Sequence, residues 1–318
     1  MLRLCDNKIT CRINRTILLL LLGVLLSLPT HAAVTFDPAG YEIYSMADYS
    51  PPVVTRARTL LKPSPRNAIN SEGMGGFFVA NTADLFEPEQ IILSSRYKYH
   101  ELTSSRGISM HSNESGSVST FESSLTWIGK WAEWAVTVPI HDWDLNATRT
   151  FGGYARSNTG IGNMRLGWKA TYLPDKSYYR FAYGAMMAIT TGNPANMLPA
   201  GSKNSDELKL FGCVTTSETD RATANLELGA IIDSESDDDR FLYRMGMSYE
   251  ALTHVSLIGE LVGEVLGGDD KDTMDLVMGF RVQPTSTWTL EFVYYKNLRT
   301  YRDYGWDEQL QAGYTLRW

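Results

Sequence analysis

From Gln90 to the C-terminus, apolar and polar side chains exchange places at every second position, in runs of about 10 to 13 residues separated by turn signals. Twelve such runs are legible: Gln90 to Leu102, Ser117 to Ile128, Trp131 to Trp143, Gly160 to Tyr172, Tyr178 to Ile189, Asp206 to Thr216, Arg221 to Ile232, Arg240 to Glu250, Val255 to Val265, Thr273 to Gln283, Trp288 to Asn297 and Trp306 to Trp318. Period two means a strand, because successive side chains of an extended chain point to opposite faces. The apolar faces include Phe181, Tyr183, Ala185, Met187 and Ile189 in one run, and Met274, Leu276, Met278, Phe280 and Val282 in another. Aromatics gather at run ends: Trp127, Trp131, Trp134, Trp143, Trp168, Tyr172, Tyr249, Trp288 and Trp318.

The connections alternate in length. Gly129-Lys130, Pro174 to Ser177, Ser217 to Asp220, Leu252 to His254 and Pro284 to Ser286 are short. Those at 103–116, 144–159, 190–205, 233–239, 266–272 and 298–305 are mostly longer, polar and glycine-rich. Short turns at one end and long loops at the other predict an all-β fold, a transmembrane antiparallel up-and-down barrel of about 12 strands. A soluble sandwich would need a facing sheet for each apolar face and does not explain the alternating loop lengths.

The N-terminus changes where this barrel is expected to sit. Arg3, Lys8, Arg12 and Arg15 precede an apolar core, Thr16 to Leu26, and Thr30-His31-Ala32 follows as a small-x-Ala exit. That order predicts a signal peptide over residues 1–32. Residues 33–89 carry Pro51, Pro52, Pro63 and Pro65 and no sustained alternation, which predicts a periplasmic extension or lumen plug. Residues 90–318 are the expected barrel. Of three cysteines, Cys5 and Cys11 leave with the signal, so Cys213 cannot form a disulfide within the mature chain.

Composition permits this reading. The chain is 43% hydrophobic with a mean hydropathy of −0.21, as expected where only alternate residues meet lipid. A net charge of −7 argues against nucleic acid as a partner. The last run, with Leu310, Ala312, Tyr314, Leu316 and Trp318 on its apolar face, ends on an aromatic residue. Gln311-x-Gly313-x-x-Leu316-x-Trp318 resembles the C-terminal assembly signal of bacterial outer-membrane barrels. The expected location is therefore the bacterial outer membrane, with lipid, lipopolysaccharide and the barrel-assembly machinery as partners.

The polar faces carry the candidate chemistry. Arg96, Lys98, Arg165, Lys169, Arg180, Lys209, Arg244, Arg281 and Arg317 are expected inside, with Glu122, Glu133, Glu227, Glu260, Glu264, Asp275 and Glu291. By order along the wall, the twelfth through sixth runs are mainly basic and the seventh through eleventh mainly acidic. Two arrangements follow: a transverse field across a pore, or mutual pairing that holds a closed interior. Twelve strands imply a backbone diameter of about 24 Å and about 10 Å of free width, room for a small molecule.

One stretch carries a family likeness. Asn158 to Ala170 (NTGIGNMRLGWKA) resembles the glycine-rich strand start of the outer-membrane family named for the MetA pathway of phenol degradation, with Asn163 where Asp is commoner. Asn81 to Gln90 (NTADLFEPEQ) resembles that family's lead into its first strand. The resemblance implies a barrel that carries small, often aromatic or apolar, compounds, and a small-molecule solute as partner.

Two other functions need weighing. His254-x-Ser256 has the spacing of lipid-modifying barrel enzymes, but it falls at a short turn with no acid placed to orient the imidazole, so no catalytic residue is assigned. Asp233 to Asp239 and Asp269 to Asp272 concentrate carboxylates that could bind a divalent cation against lipopolysaccharide. They lack the glycine and terminal Glu of a calcium loop, so no metal or cofactor is expected.

Overall fold

The computed structural model describes residues 68–84, 86, 88–104, 112–149, 154–172, 179–191, 206–216, 221–234, 239–266, 272–299, 304–305 and 308–318. All belong to one unit, Pro63–Trp318. The expected signal peptide and residues 33–67 lie outside the described residues.

Two short strands come first, β1 (Ala68–Ile69) and β2 (Gly75–Gly76), paired with each other. The wall follows: β3 (Ile91–Ser104), β4 (Ser112–Ile128), β5 (Ala132–Arg149), β6 (Tyr154–Ile161), β7 (Met164–Tyr172), β8 (Tyr179–Ile189), β9 (Glu207–Thr216), β10 (Ala222–Asp233), β11 (Arg240–Leu252), β12 (Val255–Leu266), β13 (Thr273–Thr285), β14 (Trp288–Arg299), β15 (Tyr304–Gly305) and β16 (Glu308–Arg317). β6 and β7 are one wall strand broken in the middle, as are β15 and β16, so the wall has twelve members. Each pairs antiparallel with its sequence neighbour, and β16 closes onto β3. At the seam Trp318 N–H donates to Ile91 O at 3.0 Å and Ile91 N–H to Trp318 O at 3.3 Å. Closure joins the two ends of the sheet, as strands in hydrocarbon require.

The alternation sorts the faces as expected. Tyr97, Leu125, Trp134, Met247, Leu257, Phe292, Leu310 and Trp318 are exposed on the outside, where lipid supplies the apolar partner. The C-terminus and the short turns share one rim, the turn rim, and the strand ends joined by the longer connections lie at the other, the loop rim.

Three expectations need correction. β4 and β5 run on through much of the connections predicted at 103–116 and 144–159, pairing as far as Ser112 with Arg149. The serine-rich start of β4, SNESGSVST, carries too little apolar contrast for period two to show in the sequence. Second, the run Gly160 to Tyr172 is not continuous. Ile140 pairs with Ile161 but Thr137 with Arg165, so one extra residue is inserted at Gly162-Asn163. Pro139 stands opposite and has no N–H to donate, but its carbonyl accepts from Gly162 N at 2.9 Å; a bulge is the regular answer to a proline within a strand. Third, Trp143 faces inward and is 8% exposed, so it does not face outward as the run-end Trp127 and Trp134 do.

Candidate functional site: the occupied lumen

Residues Ala68 to Phe86 lie inside the barrel, and their local shape follows from two asparagines. Asn70 Oδ1 accepts from Glu72 N at 2.9 Å and Met74 N at 3.0 Å, turning the chain from β1 into β2. Its Nδ2 donates to Asn81 Oδ1 at 2.9 Å, tying that turn to the next. Gly73 has φ +85°, a left-handed conformation that favours glycine. A Cβ there would also stand 2.5 Å from Thr137 Oγ1.

So compact a loop has few backbone partners of its own, and buried backbone groups must be satisfied somewhere. The wall does it with charged side chains. Glu260 accepts from Phe78 N at 2.6 Å and Ala80 N at 2.8 Å, and Glu227 from Asn81 N at 2.7 Å. Glu133 accepts from Gly75 N at 2.8 Å. Lys169 Nζ donates to Gly75 O at 2.8 Å and Thr82 O at 2.9 Å while pairing with Glu133 at 3.0 Å, both side chains wholly buried. Arg281 donates to Gly76 O at 2.8 Å and Phe77 O at 2.5 Å, and Arg96 donates to Ile69 O. Arg244 donates to Val79 O at 3.0 Å. Hydroxyls and an amide complete the set: Thr126 to Gly73 O, Thr215 from Ala83 N, and Asn225 to Asn81 O.

The loop returns charge to the wall through two acids. Glu72 pairs with Lys209 at 2.7 Å and Arg244 at 2.8 Å, and Asp84 pairs with Arg180. Burial disfavours the ionised Glu72, but the charges of Arg244 and Lys209 and hydrogen bonds from Lys209 and Asn81 outweigh it. Its carboxyl is held well below the usual carboxylate range.

Apolar contacts fix the same loop. Phe77 and Phe78 pack with Ile258, Val277, Val293 and Tyr295; Ile69 and Phe86 with Ile92 and Ile128; Met74 with Ala135 and Phe211; Ala83 with Ala182 and the buried thiol Cys213. The wall makes room with small residues. A Cβ on Gly246 would stand 2.6 Å from the Phe77 ring.

The charged residues expected inside the lumen therefore separate into groups, of which Lys209 and Glu227 meet the loop as described above. Arg96, Glu133, Lys169, Arg180, Arg244, Glu260 and Arg281 bind the loop directly. Glu291 braces that set, accepting from Arg96 at 2.6 Å, Arg281 at 3.2 Å and Gln311 at 3.0 Å. Lys98, Glu122 and Arg165 stand together nearer the loop rim, with Lys98 to Glu122 at 2.8 Å and Arg165 to Glu122 at 2.7 Å. Glu264 meets Arg240 at 3.0 Å, and Asp275 accepts from Asn297 at 2.9 Å, on the opposite side. Around the loop, the described charges pair with one another and with the loop: Lys209 bridges Glu72 and Glu227, and Arg96 and Arg281 share Glu291.

The residues of the expected assembly signal also have places. Leu316 and Trp318 face outward, whereas Gln311 points inward onto Glu291. Gly313 leaves space for Arg96, whose Cγ a Cβ there would approach to 2.8 Å. His254 is exposed in the turn and Ser256 buried inside, so the two do not converge. Much of both acidic loops lies outside the described residues; among the described residues no group of three metal-ligating side chains occurs.

Comparison with known proteins adds the fold class. No family model matches the sequence, and no curated protein matches it. Among solved structures, an outer membrane channel from Pseudomonas putida F1 is similar over 74% of this chain and 98% of that one, at a TM-score of 0.59 and 14% identity. The NanC porin matches over 70% of this chain and 98% of its own at 0.49 and 9% identity, and the KdgM porin over 70% and 98% at 0.45 and 10%. The first likeness shows the fold to be that of a bacterial outer-membrane β-barrel. With its closed wall and apolar belt, the chain is a protein of the bacterial outer membrane.

Proposed function

We propose that this chain is an outer-membrane channel for small, partly apolar solutes, narrowed by a segment of its own N-terminal region. The observation that carries the reading is a twelve-stranded wall too wide to fill itself, occupied by a loop that the wall holds through hydrogen bonds and ion pairs. A barrel whose only task was structural could use fewer strands and fill itself; here a wider wall spends its charges on a loop. In this reading residues 1–32 are removed on export and residues 33–89 supply the plug. The turn rim faces the periplasm, and Gln311, Gly313, Leu316 and Trp318 form the signal read by the assembly machinery. The likeness to an outer membrane channel supports transport and, with the Asn158 to Ala170 motif, membership of the phenol-pathway family. We assign no catalysis, since His254 is exposed in the turn while Ser256 is buried inside.

Swelling of liposomes carrying the purified chain tests this. Benzyl alcohol or a similar small, partly apolar solute should enter faster than into protein-free liposomes, and a disaccharide should not. Equal rates for all solutes with and without protein would overturn the channel reading.

A further inference from the structure

We infer that the lumen just beyond the plug, on its loop-rim side, selects dipolar solutes: a carboxylate and an ammonium held apart by a short apolar chain. The inference rests on the channel reading for its purpose but on the wall's charges alone for its chemistry.

The strands set these charges in one ring. On four of them a charged residue stands two or four positions past one that holds the plug, toward the loop rim: Lys98 past Arg96 on β3, Arg165 past Lys169 on β7, Glu207 past Lys209 on β9 and Glu264 past Glu260 on β12. Two residues of strand rise are about 6.7 Å, so the ring lies one or two layers of side chains beyond the plug's own partners. Two triads of opposite sign divide it. Lys98 and Arg165 share the carboxylate of Glu122, at 2.8 and 2.7 Å. Glu207 and Glu264 share the guanidinium of Arg240, which meets Glu264 at 3.0 Å. The first triad thus holds two cations for one acid, and the second two acids for one cation. In the twelve-membered wall β10 stands six places from β3, and β13 six from β7. The basic triad, on β3, β4 and β7, therefore faces the acidic one, on β9, β11 and β12, nearly across the diameter, and Asp233 on β10 and Asp275 on β13 add carboxylates to the acidic side.

Exposure separates this ring from the charges around the plug. The side chains of Lys98 and Arg165 are 16% and 20% exposed, and those of Glu264 and Glu207 18% and 31%, whereas Lys169 and Glu133 are sealed. A solute arriving from the loop rim therefore meets both triads before it meets the plug. Two walls of opposite sign, set in a low-dielectric tube, attract a dipole lying across them and repel one end of any ion whose two ends are alike. The free width of about 10 Å fixes the separation of the two charges. An extended 6-aminohexanoate matches it, with its carboxylate toward Lys98 and Arg165, its ammonium toward Glu207 and Glu264, and its methylenes between.

Calorimetric titration of the full chain in detergent tests this with 6-aminohexanoate, and with hexanedioate and 1,6-diaminohexane as probes of the same length whose ends are alike. 6-Aminohexanoate should bind about tenfold more tightly than either. Lys98→Glu combined with Arg165→Glu makes both walls acidic and should invert the order, with 1,6-diaminohexane ahead by about tenfold. Equal affinities, no binding of any probe, or an unchanged order in the variant would overturn the inference. Should the double variant lose heat-modifiable migration, Glu264→Gln replaces it. There 6-aminohexanoate and 1,6-diaminohexane should weaken about three- to tenfold while hexanedioate does not, and equal changes for all three would overturn the inference as well. Because titration needs no passage, selective binding without liposome entry would count against the channel alone, and entry of benzyl alcohol without selective binding against this inference alone.

Discussion

The two halves of this interior use the same side chains to opposite ends. Around the plug, Lys169, Arg281, Glu260 and Glu227 are buried, and each meets a backbone group of the loop. Beyond it, Lys98 and Arg165 are partly open to the lumen and outnumber their one carboxylate. The difference teaches that a charged barrel wall does not by itself define a pore. What the charges face decides whether they hold structure or remain available to a solute.

The contrast can be broken most severely at Lys169. Lys169→Met removes three loop contacts and leaves Glu133 buried without its cation, which costs about 3–5 kcal/mol. The same change at Lys98 leaves Glu122 still paired with Arg165 and should cost less than the loss at Lys169. Urea unfolding followed by heat-modifiable migration compares the two; equal losses would erase the distinction.

Acid should act on the plug through Glu72. Its folded pKa is depressed, so its stabilisation is fully present above the unfolded carboxylate value of about 4.3 and is lost as pH falls from there toward the folded value. Protease accessibility of the loop should therefore rise only below about pH 4, and Glu72→Gln should make the loop accessible already at neutral pH. A loop equally protected in both proteins at pH 7 would contradict this.

The smallest effect concerns selectivity. Reversing both Lys98 and Arg165 to Glu should shift ion selectivity toward cations while the barrel remains folded. Unaltered reversal potentials under a salt gradient would show that these groups, like those around the plug, face no open path.

The wall was readable in the sequence because one face of each strand meets lipid, which enforces apolar residues at every second position from Phe181 to Ile189 or Met274 to Val282. The plug was not readable in detail. Its hydrogen bonds go to Glu260, Arg281 and other residues far away in the chain, so no local period records them. Trp143 was legible in principle, since it shares parity with the inward Glu133; aromatic character at a strand end concealed that. Pro139 likewise announced a break in pairing, but which neighbour would bulge depends on the partner strand and not on the proline.

The central claim is that the chain's own loop closes the lumen. Single-channel conductance of the full chain and of a chain lacking residues 68–84, each recorded on heat-modifiable barrels in planar bilayers, tests it most directly. The account predicts a small or absent conductance in the full chain and one several-fold larger, with steady openings, once the loop is gone. Equal conductance in the two proteins would contradict it.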